Sequence, residues 1–285
     1  MATIREIRRR IRSVQSTAKV TRAMEMVAAT KMRRAQERTI AARPYAEKMR
    51  HVLADLAAQR QAGDEPQPLL VWRPVSRIAV VHITPDRGLC GGLNTNVNHK
   101  AASFILEQSV PVTIVAVGRK GRDFMVRSGQ EVRAEFTHLG DKPSMVDVLP
   151  IARIVIDDYI NGIVDEVYLC YTQFVTTMTQ RPALWRLLPI ESAAIEPGRN
   201  VEYIYEPSPE AVLAELLPRF VEMQLYHAIL ESIASEQSAR MVAMRNATDN
   251  ANELVEELTL TYNKARQEMI TKELLDITGG AAALG

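Results

Sequence analysis

The sequence predicts an α/β fold in which a Rossmann-like α/β domain is inserted between two terminal helices, and those helices pair as a long antiparallel coiled coil. Three observations carry this reading. Positions 4, 7, 11, 14, 18, 21, 25, 28, 32, 35, 39, 42, 46, 49, 53 and 56 keep an unbroken 3-4 spacing with only three polar members, Thr21, Glu25 and Thr39. That spacing is the signature of a long helix held against another helix. The same spacing returns between Leu213 and Met269, at the other end of the chain. Between the two, the pattern changes to β-branched runs of strand length alternating with helix-like stretches.

The first helix has a readable start. Thr3, Ile4, Arg5 and Glu6 fit a capping box, in which the threonine and glutamate each satisfy a free backbone N–H. Pro44 removes one helical bond, yet the 3-4 register continues beyond it, so a kink is expected rather than an end. A helix over 1–58 would be roughly 80 Å long at ~1.5 Å per residue. Residues 59–74 form a linker in which Gly63, Asp64, Glu65, Pro66 and Pro68 resist regular structure.

The α/β domain is expected over 75–206. Strands are predicted at 77–84 (RIAVVHIT), 111–117 (PVTIVAV) and 165–171 (DEVYLCY), and helices at 93–108, 120–128 and 144–161. Residues 173–190 read as an antiparallel hairpin at the sheet edge, and 201–205 as a last short strand. The final helix, within 207–285, is expected to start in two steps. Ser208 and Pro209 supply an N-cap and a proline at the first position, and Pro218 breaks the chain again before a main helix over about 219–277.

The 285 residues carry almost no net charge, but it is unevenly placed. Residues 1–60 hold fifteen Lys/Arg against five Asp/Glu, whereas 219–285 hold six against ten. Cys90 and Cys170 give no disulfide framework and fit a reducing compartment. The N-terminus lacks the apolar core of a signal peptide, and no apolar window is long enough to span a membrane.

No catalytic constellation appears. The five histidines are scattered without metal-ligand spacing, and His227 falls on the helical seam as a packing residue. Asp157 and Asp158 read as a solvated helix face, and both cysteines as buried small hydrophobes. One loop, Asp86-Arg87-Gly88-Leu89-Cys90-Gly91-Gly92-Leu93-Asn94, follows a strand and precedes a helix, as a phosphate-cradling turn would. It lacks both GxGxxG and GK[ST], so a structural or docking turn is the favoured reading and nucleotide binding the alternative.

Both helix roots join the same domain, so the helices must run antiparallel, with paired residue numbers adding to about 270. Glu25 then falls opposite Arg245, a charge pair that could fix the register. Everything beyond about Met269 overhangs its partner, and Leu274, Leu275 and Ile277 give that overhang an apolar character that calls for insertion into another protein.

Four separated motifs carry a family resemblance. Residues 13–29 (SVQSTAKVTRAMEMVAA), 86–94 (DRGLCGGLN), 235–244 (SEQSARMVAM) and 270–283 resemble, in order, the signatures of the gamma subunit of rotary ATP synthases. The resemblance implies a central shaft inside a hexamer of alternating alpha and beta subunits. The α/β domain would be its foot, resting with the epsilon subunit on the membrane-embedded c ring. Proton flow would turn ring and shaft, and an asymmetric shaft would bias three identical beta-subunit sites differently.

The resemblance further implies no cofactor and no catalysis by this chain. It implies a peripheral place on the cytoplasmic face of the plasma membrane, with membrane contact only through the ring, and no nucleic acid. It carries Met24, Arg34, Arg240, Gln267, Thr271 and Glu273 onto contacts with beta subunits, and Tyr203, Tyr205 and Glu206 onto foot contacts with epsilon and the ring. Two rival classes are weighed beside it. A nucleic-acid-binding coiled-coil arm would explain the basic first helix, and a nucleotide-binding enzyme would use the 86–94 loop.

Overall fold

The computed structural model describes residues 3–58, 67–191 and 205–284. In chain order the elements are α1 (Ile4–Ala58), a 3-10 turn (Pro68–Leu70), β1 (Ile78–Ile83), α2 (Leu93–Glu107), β2 (Val112–Val117), α3 (Arg119–Arg127), β3 (Glu131–Phe136), α4 (Met145–Ile160), β4 (Glu166–Phe174), β5 (Gln180–Leu188) and α5 (Pro209–Leu284). They make two compact units, Met1–Ala28 with Arg240–Gly285, and Ala29–Ala239.

The larger unit is built on a five-stranded sheet of order β3-β2-β1-β4-β5. Strands β3, β2, β1 and β4 are parallel, and β5 returns antiparallel to β4 as the expected hairpin. Strand β1 is buried along its whole length, because both faces of a parallel sheet are covered. Ile78 and Val80 pack with Val97 and Ala101 of α2 and Met125 of α3. The alternate residues Ala79, Val81 and Ile83 join a second cluster with α4. That cluster also takes in Met49, Leu53 and Leu56 of α1 and Leu213, Leu217 and Val221 of α5. The two long helices therefore supply part of the sheet's own core.

Strand β3 departs from expectation. Glu131-Val132-Arg133-Ala134-Glu135-Phe136 alternates charged and apolar residues, and its burial alternates with them. It is an edge strand with one half-covered face, so it lacks the β-branched run that marks a central strand. Its presence corrects the reading of Asp158 as part of a solvated face, whereas Asp157 is exposed as expected. Arg133 donates two hydrogen bonds of 3.2 Å to the Asp158 carboxylate, which is largely buried.

The linker is also more ordered than expected where it is described. Leu69 is buried in the 3-10 turn, Arg73 donates to the Tyr159 carbonyl at 2.7 Å, and Trp72 lies 4.1 Å under the Arg186 guanidinium. The proposed strand at 201–205 falls, apart from Tyr205, outside the described residues.

Helix α1 begins as expected. The Thr3 N–H donates to Glu6 at 2.8 Å, and the Glu6 N–H donates to the Thr3 hydroxyl at 3.3 Å. It runs unbroken through Pro44. Helix α5 is capped by Ser208, whose Oγ accepts from the Ala211 N–H at 3.2 Å. It does not restart at Pro218, where a break was expected; α5 is continuous there. Proline removes a single N–H, and Leu213, Leu217 and Val221 bury this stretch in the core on both sides of it.

In the smaller unit α1 and α5 pair antiparallel. The Thr21 and Thr248 hydroxyls meet at 2.7 Å, and Arg245 Nε donates to Glu25 at 2.9 Å. Those pairs add to 269 and 270. Ile7, Ala18, Thr21 and Ala28 are buried on one helix and Met241, Met244, Thr248 and Ala251 on the other, which is the 3-4 seam. From Arg266 to Gly279 every residue is exposed.

Candidate functional site

An α/β sheet of this order reverses direction between β1 and β4, and the crevice beyond the strand ends there is where such folds hold ligands. The 86–94 loop leaves β1 at that point. Its acid is already used. Asp86 Oδ1 accepts from the Arg119 N–H at 2.8 Å, at the start of α3, and Oδ2 accepts from the His138 N–H at 2.9 Å, beyond β3. A carboxylate thus takes the place that a bound anion would need at that helix N-terminus.

The space beyond the ends of β1, β2 and β3 is largely filled as well. Ile229, Ser232, Ile233 and Glu236 of α5 close over Thr84, Asp86, Gly118 and Phe136, leaving a cavity of about 50 Å³. A nucleotide pocket is several times larger. The turn itself is locked by close approach. Gly118 has φ +95°, and a Cβ there would stand 1.8 Å from the Thr84 carbonyl oxygen. The Gly121 N–H donates to the Thr84 hydroxyl at 2.7 Å.

One buried polar pair in this layer carried no signal in the sequence. His82 on β1 has no exposed surface and shares a 2.8 Å hydrogen bond between its Nε2 and Asn98 Oδ1 on α2. Its Nδ1 is buried without a hydrogen-bond partner. Burial pulls the imidazole down to about 4, against a smaller upward effect of the Asn98 bond. Cys170, buried on β4, is pushed up to about 12 by its apolar surroundings and is an inert thiol.

The 235–241 segment of α5 meets the sheet through hydroxyls rather than apolar side chains. Ser235 Oγ donates to the Thr172 carbonyl at 3.0 Å, and Ser238 Oγ to the Thr177 carbonyl at 2.6 Å, at the β4–β5 hairpin. Gln237 Nε2 donates to Asp141 Oδ1 at 3.2 Å, while Lys31 of α1 donates to Asp141 Oδ2 at 2.6 Å. Asp141 lies in a loop, and only the tertiary structure brings it to the two helices.

The sequence-derived contact residues lie as follows. Met24 and Arg240 are half-buried, while Arg34, Gln267, Thr271 and Glu273 are exposed. Glu25 and Arg245 come together at the rim of the seam, with the Arg245 side chain more than half exposed. Tyr205 is half-buried against the sheet's core and Glu206 is exposed, whereas Tyr203 lies outside the described residues. The helix end presents Ile270, Leu274, Leu275 and Ile277, each between 42% and 68% exposed. Among the described residues no group of three or more His, Cys, Asp or Glu could hold a metal ion, and no helix is long and apolar enough to cross a membrane.

Known proteins account for this arrangement. The profile of the family described as ATP synthase matches residues 3–284. An ATP synthase gamma chain of Dehalococcoides mccartyi is 64% identical, with both chains covered in full. The gamma chain of Herpetosiphon aurantiacus is 54% identical, over all of this chain and 99% of its own.

The chain belongs to the ATP synthase gamma-chain family.

Solved structures agree on the fold. A chain of the Euglena gracilis mitochondrial ATP synthase, from the OSCP/F1/c-ring assembly in rotational state 3, matches with a TM-score of 0.69. The match covers 99% of this chain and 94% of that one at 22% identity. A central-stalk chain of the Tetrahymena thermophila mitochondrial enzyme gives 0.62 over 80% of this chain and 99% of its own, at 24% identity. Within the ATP synthase gamma-chain family, the 86–94 and 235–244 motifs of this chain thus have local structural work. The first ties three strand ends together, and the second joins a helix to the sheet.

Proposed function

We propose that this chain is the central rotor shaft of an ion-translocating ATP synthase, carrying the turning of a membrane c ring to the catalytic beta subunits. The observation that carries the proposal is the exposed apolar end of α5, beyond the last buried seam residue of an antiparallel pair. Apolar surface of this kind is stabilised by burial against another chain. A ring of alpha and beta subunits closed around 270–284 would bury it, and an asymmetric rod biases three identical sites unequally through differential contacts.

The chain itself is non-catalytic in this reading. The setting of Asp86 supports that, since the carboxylate of the glycine-rich loop itself occupies the neighbouring helix N-terminus and the space beside it is small. Residues 1–58 and 207–285 serve as the shaft helices, 59–74 as linker and 75–206 as foot. Met24, Arg34, Arg240, Gln267, Thr271 and Glu273 would face beta subunits. Tyr203, Tyr205 and Glu206 would face the epsilon subunit and the c ring, and the Glu25–Arg245 pair would fix the register. The chain would be peripheral on the cytoplasmic face of the plasma membrane, held there through the ring.

The test is co-purification with alpha and beta subunits, followed by truncation from Ile270 onward. Complexes containing the shortened chain should form while ATP synthesis driven by an ion gradient falls. Undiminished coupling by the truncated chain contradicts the proposal.

A further inference from the structure

We infer that 235–238 of α5, with Asp141, form a grip that stops this helix rolling about its own axis against the α/β layer, and so set the torsional stiffness of the rotor. The inference rests on the shaft reading above and adds which residues pass the torque.

The geometry is specific. At about 100° per residue, Ser235 and Ser238 lie about 60° apart on one side of α5, and Gln237 stands about 160° from Ser235 and about 100° from Ser238, on a different side. The first two are held by the hairpin, through the carbonyls of Thr172 and Thr177 at 3.0 and 2.6 Å. Gln180 closes the hairpin side, its amide donating to Ser238 Oγ at 3.3 Å and to the Thr177 carbonyl at 3.0 Å. The Gln237 side is held by Asp141, and the same carboxylate reaches Lys31 of α1. One loop acid therefore binds both long helices to the layer.

Apolar packing around this point is extensive but non-directional, and it resists separation better than slippage. Hydrogen bonds have a preferred angle, so bonds spread over two sides of a helix oppose roll in either sense. Ser235 and Ser238 are fully buried, which keeps water from replacing their bonds as the helix is loaded, while Asp141 holds the buried Gln237 from an exposed position. Small hydroxyl residues are what this needs, since they admit the hairpin closely and still donate.

The experiment uses the assembled enzyme, with the alpha–beta ring fixed to a surface and a probe attached to the α/β layer. The angular spread of the probe during a catalytic pause reads the compliance between probe and ring. A chain carrying Ser235→Ala, Ser238→Ala and Asp141→Ala should show about a twofold wider variance, because mainly non-directional packing is left to resist roll. ATP hydrolysis without load should stay near wild type, and Asp141→Glu alone should keep the wild-type spread. A triple variant that assembles and turns over with unchanged spread overturns the inference. If the serine changes prevent assembly, Asp141→Ala alone, on a half-exposed side chain, decides it: a wider spread supports the grip and an unchanged one overturns it. Failure of the unaltered complex to rotate under ATP would instead sink the shaft reading beneath it.

Discussion

The threonine pair at the centre of the smaller unit offers a test of pairing and register together. Thr21 and Thr248 are both buried, and their hydroxyls lie 2.7 Å apart across the seam. Each also has a carbonyl on its own helix, Ala18 for Thr21 at 3.1 Å and Met244 for Thr248 at 2.9 Å. Valine has nearly the same shape, so Thr→Val removes the hydroxyl and little else. Thr21→Val alone leaves Thr248 without its cross-helix partner, and a lost bond of this kind costs about 1 kcal/mol. The double variant loses that same cross-helix bond only once, and two valines suit an apolar seam. The double change should therefore cost less than the sum of the singles, by about 1 kcal/mol, or roughly a fivefold difference in the unfolding equilibrium. Denaturant unfolding of the full chain, followed by helical circular dichroism, measures it. Strict additivity would mean that the two hydroxyls do not meet, and the antiparallel register would be wrong.

Other consequences can be measured on the same chain. The His82 imidazole titrates at about 4 in the fold against 6.5 when unfolded, so the unfolded chain takes up the proton first as pH falls. Stability should drop between pH 6.5 and about 4 and level off below, by up to about 3 kcal/mol, and His82→Gln should flatten that part of the profile. Gly118→Ala should cost more than about 3 kcal/mol, because its Cβ would meet the Thr84 carbonyl at 1.8 Å as well as the positive φ. Gly129→Ala, at φ +72° with open space around it, should cost only about 1 kcal/mol in the same denaturation assay. Exchanging the charges of Glu25 and Arg245 together should restore what Glu25→Arg loses, by no more than about 1 kcal/mol at a rim this exposed, and a thermal melt that shows no restoration counts against the pair.

The long helices were legible because their seam repeats over many turns, and no short-range feature competes with it. The central strands were legible for a related reason, since burial on both faces demands continuous β-branched runs such as Ile78–Ile83. Strand β3 was not, because an edge strand needs only Val132, Ala134 and Phe136 on its covered face, and its charged residues look like loop. Pro218 misled because a proline weakens a helix locally, whereas the decision to continue is made by the core around it. The polar ties were least visible. Asp86, Asp141 and Asp158 are ordinary acids in the sequence, and each becomes structural only when a distant backbone or side chain arrives. Ser235 and Ser238 stand in a motif that carries the family resemblance, but their chemistry depends on the hairpin carbonyls beside them, which the local sequence does not reveal.

Helix α5 outruns its partner, and in the proposed assembly its bare end is received by other subunits. Hydrogen exchange along 266–279 tests it directly, comparing the chain alone with the chain assembled with alpha and beta subunits. Rapid exchange in the free chain and strong protection on assembly are expected. Equal exchange in both states would contradict that assembly.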